Sequence, residues 1–178
     1  VTMQVVATEL DEVGPPITTV TLQPGVADGK DTFLSRGGEG TESRANHNHG
    51  AQTEMVVGMT GNHGQVERTL LQFDLSSVPP GSPVQSAVLR LRNVSGAGGT
   101  VEIYRMKVDW DEGNLSGSTG EASWQDRKAG VPWSNTGFRS LTAGAYHATD
   151  AEISSPIASG AIATGGVMEL ALDLAKVQ

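Results

Sequence analysis

The stretch from Arg68 to Trp110, RTLLQFDLSSVPPGSPVQSAVLRLRNVSGAGGTVEIYRMKVDW, limits the fold more than any other part of the chain. Its apolar residues recur two apart, β-branched residues run throughout, and the run breaks at Pro79-Pro80-Gly81 and again at Ser95 to Gly99. Period-two alternation turns one face of a strand to the core and the other to water. The stretch therefore reads as strand, Pro/Gly turn, strand, Gly-rich turn, strand. It holds no nucleophile, redox group or metal cage. An all-β chain follows, a single β-sandwich of jelly-roll-like topology with long Gly-rich loops.

The rest of the chain extends this pattern. Residues 1–16 end in Gly14-Pro15-Pro16, a strong breaker, and read as an N-terminal extension with a short strand around Val5 and Val6. Ile17 to Leu22 alternates as a Thr-rich strand and stops at Pro24-Gly25. Further strands are expected around Thr32 to Leu34, Glu54 to Val57, Thr69 to Asp74, Ser86 to Arg92 and Thr100 to Val108. Glu112 to Gly137 carries Trp124 and Trp133 in a Gly/Ser-rich background that suits a folded-over loop. Gly160 to Gly166 reads as a turn, and Val167 to Leu174 as the last strand.

Composition removes several function classes. At 178 residues the chain is long enough to bury a core without staples. Its net charge of −8 argues against nucleic acid and anionic membrane surfaces, which call for a basic footprint. No run approaches the roughly 20 apolar residues that span a bilayer. Cysteine is absent, which excludes disulfides, thiol catalysis and thiolate metal sites. No GxSxG elbow, HExxH, phosphate-binding loop or dinucleotide fingerprint occurs. Asp109 and Glu112 lie too close in sequence, with nothing around them, for a glycosidase pair. The chain reads as no enzyme.

The words LLQFDLSSVPPGSPVQSAVLRLRN, Leu70 to Asn93, resemble the DNRLRE domain family. Thr21 to Gly25, Asp31-Thr32-Phe33-Leu34, Asn48-His49-Gly50, Trp110-Asp111-Glu112-Gly113 and the pair Trp124 and Trp133 match its pattern in order. The resemblance runs from about residue 19 to Gln178. It implies an extracellular or cell-surface β-sandwich, related to alginate-binding modules, that binds polysaccharide or mediates adhesion without catalysis. By that pattern residues 17–178 form the domain, and VMELALDLAKVQ stops short of its final strand. A strand missing at one end and spare within Val1 to Pro16 suggests the alternative, an extracellular filament subunit assembled by strand donation between neighbours.

Several side chains then carry candidate chemistry. Arg90 and Arg92 face away from Leu89 and Leu91, and a hairpin through Gly96 to Gly99 would bring Arg105 and Lys107 beside them. Such a ladder of like charges favours an anionic partner such as a uronate glycan, to which arginine offers a planar fork. The alternative is a solvated strand face neutralised by Glu102 and other acids. Among eight aromatic residues, Trp110 and Trp124 fit packing anchors, and Trp133 after Val-Pro is the candidate sugar platform, with a core role as its alternative. Asp28, Asp31, Asp109 and Asp111, with Glu112, are the hard oxygen donors a structural calcium takes, though without EF-hand spacing. Asp31 serves equally as a turn cap. His47 and His49, with His63, have the residue types for zinc or copper, against the alternative of a polar loop. No other cofactor is implied.

Overall fold

The computed structural model describes residues 1–8, 17–25, 29–37, 42–60, 64–137 and 140–177. In chain order the strands are β1 (Thr2–Thr8), β2 (Ile17–Leu22), β3 (Gly29–Ser35), β4 (His47–Asn48), β5 (Gly58–Thr60), β6 (Gln65–Phe73) and β7 (Val84–Arg92). They continue with β8 (Gly99–Ile103), β9 (Ser118–Thr119), β10 (Asp126–Lys128), β11 (Val131–Pro132), β12 (Ala158–Ile162) and β13 (Val167–Ala171). A 3-10 turn at Glu42–Asn46 and a one-turn helix, α1 (Leu174–Val177), complete the described elements. The fold is all-β with antiparallel sheets, in keeping with the sandwich class that the alternation predicts. The chain packs as two compact units: residues 1–29, 73–105 and 155–178, and residues 30–72 and 106–154.

The first unit contains a four-stranded sheet in the order β13-β7-β1-β2 and a pair, β12-β8. Alternation fixes its register. Leu22 lies opposite Met3, Met3 opposite Leu89 and Leu89 opposite Leu170, so one inward row crosses all four strands. Every member of that row is buried, and each contributes about 1.5–3 kcal/mol of burial. Gly160 lets the two layers approach: a Cβ there would stand 2.7 Å from Leu170 Cδ2 and 3.2 Å from Met168 Sδ.

Three expectations change in this unit. The Gly-rich turn after Asn93 makes no hairpin, because β7 pairs with β13 and β1 while β8 pairs with β12. It is an arch between layers, tied to the arch at Ala163 to Gly166 by Asn93 N to Gly166 O (2.9 Å) and Gly98 N to Thr164 Oγ1 (3.2 Å). Second, Thr2–Thr8 is no spare strand: it is paired on one edge with β2 and on the other with β7. Third, β13 stops at Ala171, where Leu172 N still reaches Ala87 O (2.9 Å), and the chain then turns into α1. Residues 9–16, with the breaker Gly14-Pro15-Pro16, lie outside the described residues.

The second unit holds a sheet in the order β3-β6-β5 and the small pairs β4-β9 and β10-β11. The segment Glu54 to Val57, expected as a strand, is a bend and irregular chain; the Thr69 hydroxyl donates to the Val56 carbonyl (3.0 Å), and pairing starts at Gly58. Its core gathers Leu34, Ala45, Leu70, Trp110, Ala122, Trp124, Trp133, Ala143 and Ala145. Two polar side chains hold the loops around that core. Arg68 places its guanidinium over Trp124 (4.6 Å) and Tyr146 (4.9 Å) and donates to the carbonyls of Leu141, Ala143 and Gly144. Burial lowers its pKa to about 10, still far above neutral pH, so it remains a cation.

Asn48 is fully buried and uses its whole carboxamide. Nδ2 donates to Glu112 O (2.6 Å) and Ala122 O (3.0 Å), while Oδ1 accepts from Gly50 N (3.2 Å) and Leu115 N (3.0 Å). Gly113 sits so close, in a left-handed conformation (φ 74°), that a Cβ would lie 2.5 Å from Oδ1. Asn48→Ala strands two carbonyls and two amides, and each buried orphan costs about 1–3 kcal/mol. We expect a loss of about 3 kcal/mol or more in urea unfolding, and Asn48→Asp to fare no better at neutral pH, because a carboxylate cannot donate.

Candidate functional site

The strand-like segment after β8 alternates strictly. Met106, Val108 and Trp110 turn toward the second unit's core, and Lys107 and Asp109 stay exposed. Beside Leu71 and Gln72 of β6 these five residues line an open groove of about 290 Å³. Its less exposed lining is apolar (Leu71, Met106, Val108 and Trp110), and its exposed lining is polar (Gln72, Lys107 and Asp109). Lys107 is tethered through Nζ to Ala148 O (2.8 Å).

A ribbon of alternating charge adjoins Asp109. Lys128 Nζ lies 2.6 Å from Asp109 and 3.1 Å from Asp111, bridging two carboxylates that share one side of the chain. Lys30 Nζ lies 3.4 Å from Asp109, donates to Trp110 O (2.8 Å) and stands 5.5 Å over the Trp110 ring. Arg127 donates to the Asp109 carbonyl (2.8 Å). The hydrogen bond from Lys128, followed by the charge of Lys30, lowers the Asp109 carboxyl to about 2, and the two acids raise Lys128 in turn. Both partners remain permanently charged near neutral pH.

The described acids among the calcium candidates form no common metal site. Asp109 and Asp111 close on an ammonium, so lysine already supplies the positive charge that a metal would bring. Asp31 lies against Glu112, whose Oε1 accepts the Asp31 amide (2.9 Å), and burial together with the Glu112 charge pushes the Asp31 carboxyl up. Asp28 lies outside the described residues. No three metal-ligating side chains converge among the described residues. Asp31, Asp109 and Asp111 by themselves build no calcium site.

The expected glycan contacts separate in the same way. Arg90 and Arg92 do face solvent, but Arg90 is ion-paired with Glu169 (3.6 Å) on β13, and Arg92 lies opposite Val167. The pairing of β7 keeps Arg105, at the end of the β8 segment, off their ladder. Lys107 alone of the five lines the groove. Trp133 is no platform: it is 2 % exposed, and its ring N–H donates to Ser123 O (2.9 Å). Trp110 and Trp124 are core, as the spacing suggests. With every indole buried, a ligand here would meet hydrogen-bonding groups over an apolar floor.

Sequence reasoning overlooked Gln72, Lys30 and Lys128. Lys30 meets Asp109 across 79 residues, and spacing carries no trace of such a contact. One signal was present: Arg127-Lys128 is the only pair of adjacent basic residues in an acidic chain.

Residues 25–157 match Carbohydrate-binding module family 96. The chain belongs to this family. The match spans most of the sequence and all of the unit that carries the groove. No curated protein and no solved structure shows significant similarity to it. Members of a carbohydrate-binding family bind sugars and do not cleave them, which agrees with the missing catalytic constellations. No described helix is long and apolar enough to cross a membrane.

Of the expected histidine ligands, His49 packs into the interior. His49 stacks on Phe33 (4.1 Å between centroids, 15° between planes), and both of its ring nitrogens are buried without a hydrogen-bond partner. His63 lies outside the described residues. Burial first, then the charges of His47 and Arg44, lower the His49 pKa. The unfolded chain therefore takes up the proton first, and stability falls as pH drops below the ordinary histidine value of about 6.5. Urea midpoints measured from about pH 8 down to about pH 5 should decline, and His49→Phe should flatten that decline. An unchanged slope in the variant would assign the pH dependence elsewhere.

Proposed function

We propose that the chain is a non-catalytic polysaccharide-binding or surface-adhesion module working outside the cell, and that its groove takes an anionic glycan. The family match over residues 25–157 carries the sugar-binding part of this reading. The groove supports its location, because an apolar floor suits the C–H face of a sugar ring while Gln72, Lys107 and Asp109 suit its hydroxyls. Charge supports the anionic preference. Lys30, Lys107, Arg127 and Lys128 cluster along this edge beside Asp109 and Asp111. Clustered ammonium and guanidinium groups suit a ligand that carries carboxylates.

Affinity electrophoresis through gels containing a polyuronate or a neutral glucan tests the proposal. Retardation should be specific to the polyuronate and weaken with added salt. Lys107→Ala and Lys128→Ala should each weaken binding roughly tenfold, about 1.4 kcal/mol, while Arg90→Ala leaves it unchanged. Equal retardation by all three variants would remove the groove from the proposal, and tighter binding to the glucan would remove the anionic preference.

A further inference from the structure

The acceptor pattern for N-linked glycosylation is asparagine, any residue but proline, then serine or threonine. It occurs twice in the chain, as Asn93-Val94-Ser95 and Asn114-Leu115-Ser116. The pattern alone is common, and the structure separates the two copies. Asn93 is half-buried and its carboxamide is in use. Nδ2 donates to Ala97 O (3.4 Å) and Ala163 O (3.2 Å), and Oδ1 accepts from Ser95 N (3.2 Å). A sugar on that nitrogen would displace bonds that tie the two arches of the first unit together.

Asn114 is placed differently. It is exposed, lies in a bend outside the strands, and its carboxamide has no hydrogen-bond partner among the described residues. The loop around it is held without that side chain. Leu115 N donates to Asn48 Oδ1 (3.0 Å), Ala51 N donates to Leu115 O (3.0 Å), and Gly117 N donates to Asn48 O (2.9 Å). Gly113, left-handed at φ 74°, turns the chain just before Asn114. Ser116 is exposed too, and its hydroxyl accepts from Gln52 Nε2 (2.5 Å) while keeping its own proton free to donate. Glu112 lies two residues ahead of Asn114, and bacterial oligosaccharyltransferases require an acid at that place; Leu91 occupies it before Asn93.

We propose that Asn114 is an N-glycosylation site, modified by an oligosaccharyltransferase as the chain leaves the cell; this rests on the reading that the chain works outside the cell. The co-substrate is an oligosaccharide carried on a polyprenyl diphosphate. Asn114 Nδ2 attacks C1 of its first sugar. A C–N bond forms as the C1–O bond to the diphosphate breaks, the amide gives up one proton, and the lipid diphosphate leaves with the electron pair. The product is an N-glycoside that stands in water, so the bonds around Asn48 form as they do in the bare chain. A bulky polar glycan there covers a loop with little regular pairing of its own.

The full chain, exported to the periplasm of a bacterium that carries an oligosaccharyltransferase and its lipid-linked N-acetylhexosamine glycan, tests the site by intact mass and peptide mapping. One glycan per chain is expected, on the peptide that holds Asn114, with the urea midpoint of the bare protein retained. Asn114→Gln and Ser116→Ala should abolish the modification, while Ser116→Thr keeps it. A bare Asn114 in exported, folded chains would overturn the proposal, as would a glycan that lowers the midpoint or survives Asn114→Gln. The same peptide map is then made on chains fractionated from the protein's own cells. A glycan on the Asn114 peptide and none on the Asn93 peptide is expected. Chains recovered outside the cell with Asn114 bare, or with Asn93 modified in its place, overturn this proposal and leave extracellular sugar binding standing. Chains confined to the cytoplasm overturn both.

Discussion

One buried carboxamide sets the geometry on which the groove-bearing unit depends. Asn48 satisfies two carbonyls and two amides drawn from three loop segments, Gly50, Glu112 to Leu115 and Ala122. These loops carry little regular pairing of their own: β4 and β9, the strands nearest this bond set, are two residues each. A side chain with both donors and acceptors does here what a ladder does elsewhere, and in a dry interior its bonds are costly to lose. Because Trp110 and Asp111 directly precede the Asn48-bound Glu112, the carboxamide also fixes where the groove's floor and the charged ribbon begin. Gly50 and Gly113 belong to the same constraint, since a Cβ on either would strike backbone or the Asn48 amide.

Arg68 plays the matching part on the other side of that core. It covers Trp124 and Tyr146 and donates to carbonyls of the 141–144 loop, so a permanent charge is held by π-faces and backbone oxygens. Beside it, Gly144 (φ 61°) leaves room for the indole: a Cβ would stand 2.6 Å from Trp124. The unit thus places its indoles in the core, while the exposed lining of its groove is a lysine, a carboxylate and an amide.

Local pattern was legible in the sequence wherever the physics is local. Period-two alternation placed β2 and β7 closely and turned Arg90 and Arg92 to solvent, because the face a strand residue takes depends only on its neighbours. The words around Asn48, Trp110 and Trp124 marked core and loop anchors for the same reason. Partner choice was not legible. Gly96 to Gly99 has the composition of a hairpin and serves as an arch, since glycine permits a sharp reversal without saying which strand comes alongside. Lys30 and Lys128 reached Asp109 through long-range packing, so two of the acids read as calcium ligands, Asp109 and Asp111, hold ammonium groups instead. Trp133 looked exposed because it follows proline in a polar stretch; the Ser123 carbonyl, ten residues away, draws its indole inward.

The placement of the indoles has an optical consequence. Trp110, Trp124 and Trp133 all belong to the unit formed by residues 30–72 and 106–154, and the other unit has none. Intrinsic tryptophan emission is therefore a private signal of the groove-bearing unit, blue-shifted by its dry surroundings, while far-ultraviolet dichroism sums the strands of both. The two traces coincide on denaturation only if the whole chain melts as one cooperative body. Any gap between them measures how much of that cooperativity the chain lacks.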